Sequence, residues 1–274
     1  MSVIADWDLA YSNRDHSPDW PQFIDKWSAA APAWREKLAG EGRMRADVAY
    51  GEGARNKLDL FLPEGTPKGL AIFIHGGYWR SFDKSLWSHL SAGAVAKGYA
   101  VAMPSYTLCP ETSISGITRE ITAAIECAAG LVDGPIRLSG HSAGGHLVTR
   151  MICKDTGLSK ATLDRIGPVL SISGVHDLRP LLKTQMNDDF KLTEEEAGLE
   201  SPALLAPLEG RTVTCWVGGA ELPEFIRQND LLANIWTGLG TDTRTFHDPG
   251  KHHFSVVDGL DNPDSEIVAA WLDS

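Results

Sequence analysis

The stretch Leu138-Ser139-Gly140-His141-Ser142-Ala143-Gly144-Gly145-His146-Leu147 (LSGHSAGGHL) decides how this chain is read. It holds a Gly-x-Ser-x-Gly pentad between a predicted strand, residues 135–139, and a predicted helix, residues 143–154. A serine at the apex of a strand–turn–helix is held in a tight, strained geometry that exposes its hydroxyl. Side chains at 140 or 144 would collide with the crossing chain, and Gly145 lets the helix pack closely on a strand. The helix N-terminus adds a dipole that favours developing negative charge. The plainer reading is a small-residue turn, and it is tested by asking whether a base, an acid and an oxyanion hole accompany Ser142.

Upstream, the apolar run Leu70–Ile74 reads as a strand buried on both faces, and His75-Gly76-Gly77-Tyr78-Trp79 follows it. A His-Gly-Gly run after such a strand supplies backbone N–H groups to an oxyanion hole. Gly76 and Gly77, with the N–H of Ala143, are the candidate donors. Losing one donor of this kind typically costs about 100- to 1000-fold in rate. Tyr78, Trp79 and Trp87 are candidates for an aromatic wall beside the site, with Trp87 equally readable as core.

Downstream, the chain order of this arrangement is serine, acid, histidine. The late histidines are His247, His252 and His253; His247 ends a predicted strand, and position alone leaves His252 and His253 open. The acid belongs in the loop after the predicted strand 212–217. That loop, Gly218-Gly219-Ala220-Glu221-Leu222-Pro223, holds no Asp, and Glu221 is its carboxylate. Glu224 falls one turn into the next helix. Asp177 lies one loop too early, Asp230 inside a helix, and Asp248 beside the base loop as a weaker alternative.

Around these motifs the pattern alternates. Strands are predicted at 47–50, 57–62, 70–74, 99–103, 135–139, 168–173, 212–217 and 243–247. The first two form an antiparallel edge hairpin through Gly51-Glu52-Gly53. Helices are predicted at 82–97, stopped by Gly98, and at 114–128, where Ile114, Ile117, Ile121 and Ile125 mark an apolar stripe. Others follow at 143–154, at 223–237, and at 263–272 with Asn262 as N-cap. The alternation implies a single α/β domain over 1–274, with a mostly parallel sheet and helices on both faces. Trp20, Phe23, Ile24, Trp27, Trp34 and Leu38 predict one or two N-terminal helices within about 18–39, with Pro21 and Pro32 as starts or breaks and the tryptophans packed on the domain. Residues 176–210 break the rhythm: long, polar and acidic, they are expected to pass over the site as a cap.

A net charge of −11 argues against nucleic acid or an anionic membrane surface as a partner. The four cysteines, Cys109, Cys127, Cys153 and Cys215, form no C-x-x-C pair and read as reduced thiols. The N-terminus, MSVIADWDLA, has acids where a signal peptide has bases, and Leu70–Ile74 is too short to span a bilayer, so a cytoplasmic protein is expected. No His/Asp/Cys spacing resembles a metal site, and no Gly-rich cofactor loop is present, so neither metal nor cofactor is expected. The partner expected is a small ester or formamide, with a homodimer left as an option.

HGGYW (75–79), GHSAGGHL (140–147), SGVHDLRPL (173–181) and HHF (252–254) together resemble the arylformamidase, or kynurenine formamidase, branch of the α/β-hydrolase esterases. That branch lies near the hormone-sensitive-lipase-like carboxylesterases, whose Tyr-x-Leu-x-Pro-Glu run is similar to Tyr106–Glu111 here. The resemblance covers the chain from about Ala10. It implies a base directly before the phenylalanine, hence His253. It also implies an acid, often Asp, two residues before Pro223-Glu224-Phe225, a place held here by Glu221. The expected activity is hydrolysis of an aryl formamide such as N-formyl-kynurenine, or else of short acyl or aryl esters. A non-catalytic interaction protein is the third reading, and the intact serine, oxyanion and histidine motifs argue against it.

Overall fold

The computed structural model describes residues 3–273. Its described residues form one sheet of eight strands: β1 (Met44–Ala49), β2 (Lys57–Phe61), β3 (Leu70–Ile74), β4 (Ala100–Pro104), β5 (Ile136–His141), β6 (Ile166–Ile172), β7 (Thr212–Gly218) and β8 (Asp242–Asp248). The spatial order is β1-β2-β4-β3-β5-β6-β7-β8. β1 and β2 pair antiparallel, and β2 runs antiparallel to β4. From β4 to β8 every pairing is parallel. The expected edge hairpin and parallel body are therefore both present.

Three helices precede the sheet: α1 (Trp7–Tyr11), α2 (Asn13–His16) and α3 (Trp20–Gly40). Between and after the strands come α4 (Ala92–Ala96), α5 (Ile114–Leu131), α6 (Ala143–Arg150), α7 (Lys160–Leu163), α8 (Asn187–Phe190), α9 (Glu194–Leu199), α10 (Pro223–Gly238) and α11 (Glu266–Leu272). Strand periodicity sorts the core into two layers. Leu70, Ile72 and Ile74 of β3 join Ile117, Ile121 and Ile125 of α5 and Leu147 of α6 on one face. Ala71 and Phe73 point the other way, into a layer with Trp27 of α3, Trp87 and Trp271 of α11. Every residue of β3 is buried, which is why it reads as an unbroken apolar run.

Several boundaries differ from expectation for local reasons. Segment 82–97 is not one helix: a 3₁₀ stretch, Lys84–Ser91, precedes α4. Its serines bond backward, Ser88 Oγ to the Ser85 carbonyl (3.0 Å) and Ser91 Oγ to the Ser88 carbonyl (2.7 Å), competing with α-helical spacing. α4 then stops at Gly98 as expected. Gly98 has φ +91°, its N–H bonds the Val95 carbonyl (3.0 Å), and Tyr99 N–H bonds the Ala94 carbonyl (3.1 Å). The last helix starts at Glu266 rather than 263, capped by Ser265 on the Val268 N–H (3.3 Å). Asn262 instead takes the Asp264 N–H (3.0 Å), closing a turn that ends before the helix begins. α3 is a single helix of 21 residues that carries Pro32 inside it. No helix among the described residues is long and apolar enough to cross a membrane.

Candidate active site

The segments that follow β3, β5, β6 and β8 at the C-terminal edge of the sheet line one cavity of about 530 Å³, where ligands of parallel α/β sheets bind. β5 ends at His141, and Ser142 turns the chain into α6 with φ 56° and ψ −115°. A non-glycine residue in that region is strained and needs its surroundings to hold it there. The packing shows why glycines flank it. A Cβ on Gly140 would lie 2.3 Å from the Gly144 carbonyl oxygen, and one on Gly144 would lie 1.9 Å from the Ile74 oxygen. A Cβ on Gly145 would press on Ser171 Oγ at 2.8 Å, so α6 lies directly against β6.

His253 lies beyond β8 with its ring buried. Its Nδ1–H donates to Glu221 Oε2 at 2.7 Å, so its other nitrogen, Nε2, keeps a lone pair. Glu221, in the loop after β7, is held on its second oxygen by the Ser173 hydroxyl and the Gly218 N–H (2.9 Å). The carboxylate thus has three donors and a fixed direction. Ser142 and His253 line the same cavity.

The competing residues are engaged elsewhere. His247 bonds Asp230 Oδ1 (2.8 Å) at an exposed position. His252 pairs with Asp19 (3.4 Å) and meets the Phe23 ring edge-on. Asp177 binds Arg179 (2.8 Å), bracing the start of the excursion. Glu224 forms a buried cluster with Tyr11 and Arg227.

Gly77 lines the cavity with φ +115°, a conformation open to glycine, and a Cβ there would strike the Ser81 oxygen at 2.4 Å. Gly76 sits against the elbow, its Cβ position 3.1 Å from Ser142 Cβ. Ala143 opens α6, and first-turn N–H groups have no acceptor in their own helix. Tyr78 and Trp87 line the cavity, and Trp87 is at the same time core, 4.7 Å from Trp27. Trp79 does not line it. Fully buried, Trp79 packs edge-on against His146 and Phe190, because positive φ angles at Tyr78 and Trp79 coil the loop and turn that ring inward.

Two contributions escaped the sequence. His141, the second residue of the pentad, donates from Nε2 to the His253 carbonyl (2.9 Å). Burial, and then its neighbour His253, hold its pKa well below the usual histidine range. It is therefore a neutral clamp between the elbow and the base loop; its signal was a histidine directly before the serine. The second is the N-terminal pair α1–α2. Asp8, Tyr11, Ser12, Asn13 and Arg14 all line the cavity. Tyr11 anchors the pair through its hydroxyl to Glu224 (2.6 Å), and its carbonyl accepts from the Tyr78 hydroxyl (2.7 Å). From the excursion, Gln185, Met186 and Asp188 reach the cavity.

Sheet order, elbow and cavity together define the α/β-hydrolase class. Within it, the chain belongs to the BD-FAE family, whose model matches residues 58–199. It is 30% identical to the kynurenine formamidase of Salmo salar over 249 residues, covering 86% of this chain and 84% of that one. The kynurenine formamidase of Danio rerio is also 30% identical, over 78% of this chain and 76% of its own. Among solved structures, a Silicibacter sp. protein provisionally assigned as a thioesterase superposes with a TM-score of 0.92 at 48% identity, covering 97% of this chain and 98% of its own. A hyperthermophilic esterase from Pyrobaculum calidifontis shares the fold, with a TM-score of 0.69 at 15% identity over 92% and 96% of the two chains. The protein is a hydrolase.

Proposed function

We propose that the protein hydrolyses an aryl formamide, with N-formyl-kynurenine as the favoured substrate, through a Ser142–His253–Glu221 triad. The observation that carries this reading is the buried His253–Glu221 pair at 2.7 Å, opening on the same cavity as a conformationally strained Ser142. In this mechanism His253 Nε2 takes the Ser142 proton as Oγ attacks the formyl carbon. The N–H groups of Gly76, Gly77 and Ala143 hold the oxyanion. His253 then gives the proton to the departing aryl amine, leaving a formyl ester on Ser142. Water, deprotonated by His253, cleaves that ester to formate and restores the serine. The kynurenine formamidase relatives support the leaving group, as do the aromatic rings of Trp27, Trp87, Phe82 and Phe254 on the cavity.

A carboxylesterase of short acyl or aryl esters is the second reading, favoured by the thioesterase assignment of the 48%-identical structure. Purified protein assayed side by side on N-formyl-kynurenine and p-nitrophenyl esters separates the two, with Ser142→Ala as control. Formamide turnover lost in Ser142→Ala is the expected result. Ester turnover alone would replace the substrate, and a Ser142→Ala protein as active as the parent would overturn the triad.

A further inference from the structure

The cavity has a charged sector that the proposed bond cleavage does not use. α2 brings Arg14 to its wall, α1 brings Asp8, and the excursion brings Asp188. A run of ring contacts connects this sector to the reacting groups. The His253 ring lies 5.8 Å from Phe254, Phe254 lies 6.1 Å from Trp20, and the Arg14 guanidinium sits 4.5 Å above Trp20. Arg14 is thus separated from the base by two aromatic rings.

Arg80, the other cation on the cavity, is committed to Asp189. Among the described residues Arg14 has no carboxylate partner in any ion pair, in a chain whose net charge is −11. A guanidinium stacked on an aromatic face keeps its N–H edge free, and that planar edge matches a carboxylate with two parallel hydrogen bonds. The carboxylates of Asp8 and Asp188 on the same wall suit an ammonium. A cation and two anions beyond an aromatic stretch fit a zwitterionic tail joined to an aryl group, and fit a neutral ester poorly.

We propose that Arg14 is a specificity residue that binds the α-carboxylate of an aryl formamide carrying an amino-acid tail. This rests on the formamide reading above and adds the recognition of the tail. The test compares kcat/KM for N-formyl-kynurenine with that for formanilide, which keeps the aryl formamide and lacks the tail. Both are measured on the parent protein, Arg14→Ala and Arg14→Lys. The expected result is a parent preference for the tailed substrate that falls about tenfold in Arg14→Ala, mostly through KM, with part of it restored by Lys. The ratio cancels any change in the amount of folded enzyme. A ratio in Arg14→Ala equal to that of an active parent overturns the role of Arg14 while leaving the formamide reading standing. A parent that cleaves formanilide but not N-formyl-kynurenine overturns the role of Arg14 and the favoured substrate while aryl-formamide hydrolysis stands, and a parent that cleaves neither overturns both.

Discussion

Replacing Glu221 by Gln is the sharpest test of the triad, because the site dictates how the amide must sit. One carboxylate oxygen faces two donors, Ser173 Oγ–H and Gly218 N–H, and the other faces His253 Nδ1. The glutamine oxygen will take the place with two donors, since an NH₂ there would meet two N–H or O–H groups head-on. The NH₂ is then directed at His253 Nδ1, which must accept, and the proton moves to Nε2. A ring protonated at Nε2 cannot take the Ser142 proton. The same carboxylate-to-amide change in other triads lowers kcat by about 10⁴ through the wrong tautomer, equivalent to about 5.4 kcal/mol of barrier. We therefore expect Glu221→Gln to lose about four orders of magnitude in kcat while keeping the fold, because shape and one acceptor are retained. Stopped assays on p-nitrophenyl acetate and N-formyl-kynurenine, with circular dichroism as the folding check, measure it. Asp248→Asn and Asp177→Asn serve as comparisons and should stay within a few-fold of the parent. A folded Glu221→Gln protein within about tenfold of parental kcat, or an equal loss in Asp248→Asn, would refute the reasoning.

Three further outcomes follow from the packing. Tyr11→Phe deletes the hydroxyl that donates to Glu224 (2.6 Å) and accepts from Gln228 (3.1 Å), and should cost about 1–3 kcal/mol, read as a melting temperature lower by about 5 °C; an unchanged melting temperature would show that α1 is not anchored there. Gly144→Ala places a methyl against the Ile74 carbonyl and should destabilise by about 3 kcal/mol or more in urea titration, whereas a neutral effect would mean the elbow relaxes freely. Burial lowers His75 to about 4, and His146 and His176 each to about 3, so the native state keeps all three neutral. Their folded pKa lies below the unfolded value, so this stability is complete above about pH 6.5 and is lost as pH falls below it, by about 1.4 kcal/mol per pH unit for each histidine. Urea midpoints that stay flat from pH 7 to 5 would contradict that burial.

The fold was legible where local pattern and tertiary role coincide. Leu70–Ile74 is buried on both faces and therefore apolar throughout, and the elbow glycines are dictated by close approach, Gly140 to the Gly144 backbone one turn on and Gly144 to the Ile74 carbonyl of β3. Glu221 stands out in the sequence because the expected chain order points to a six-residue loop holding one carboxylate, and that carboxylate lies 2.7 Å from His253 Nδ1. What stayed hidden depends on distant partners. α1 and α2 are too short to show periodicity, and their place on the cavity is set by Glu224 and Tyr78. Trp79 was misassigned to the cavity because side-chain direction in a turn depends on φ, and φ is positive there. The stripe of N-terminal tryptophans packs on the domain as expected, yet Trp27 reaches the cavity as well.

The Tyr11–Glu224 contact joins positions 213 residues apart, and it also sets an order of events during synthesis. The first helices to leave the ribosome meet Tyr78 early but lack their Glu224 anchor until α10 follows, at a translation rate of about 5–20 residues per second. For about 4 to 16 seconds at that rate the nascent chain carries the Ser142 elbow before Glu224, the anchor of the α1–α2 wall, has been made. Anchoring of that wall is among the last things the chain acquires, so a fragment ending before residue 224 is expected to carry the Ser142 elbow without the anchored α1–α2 wall.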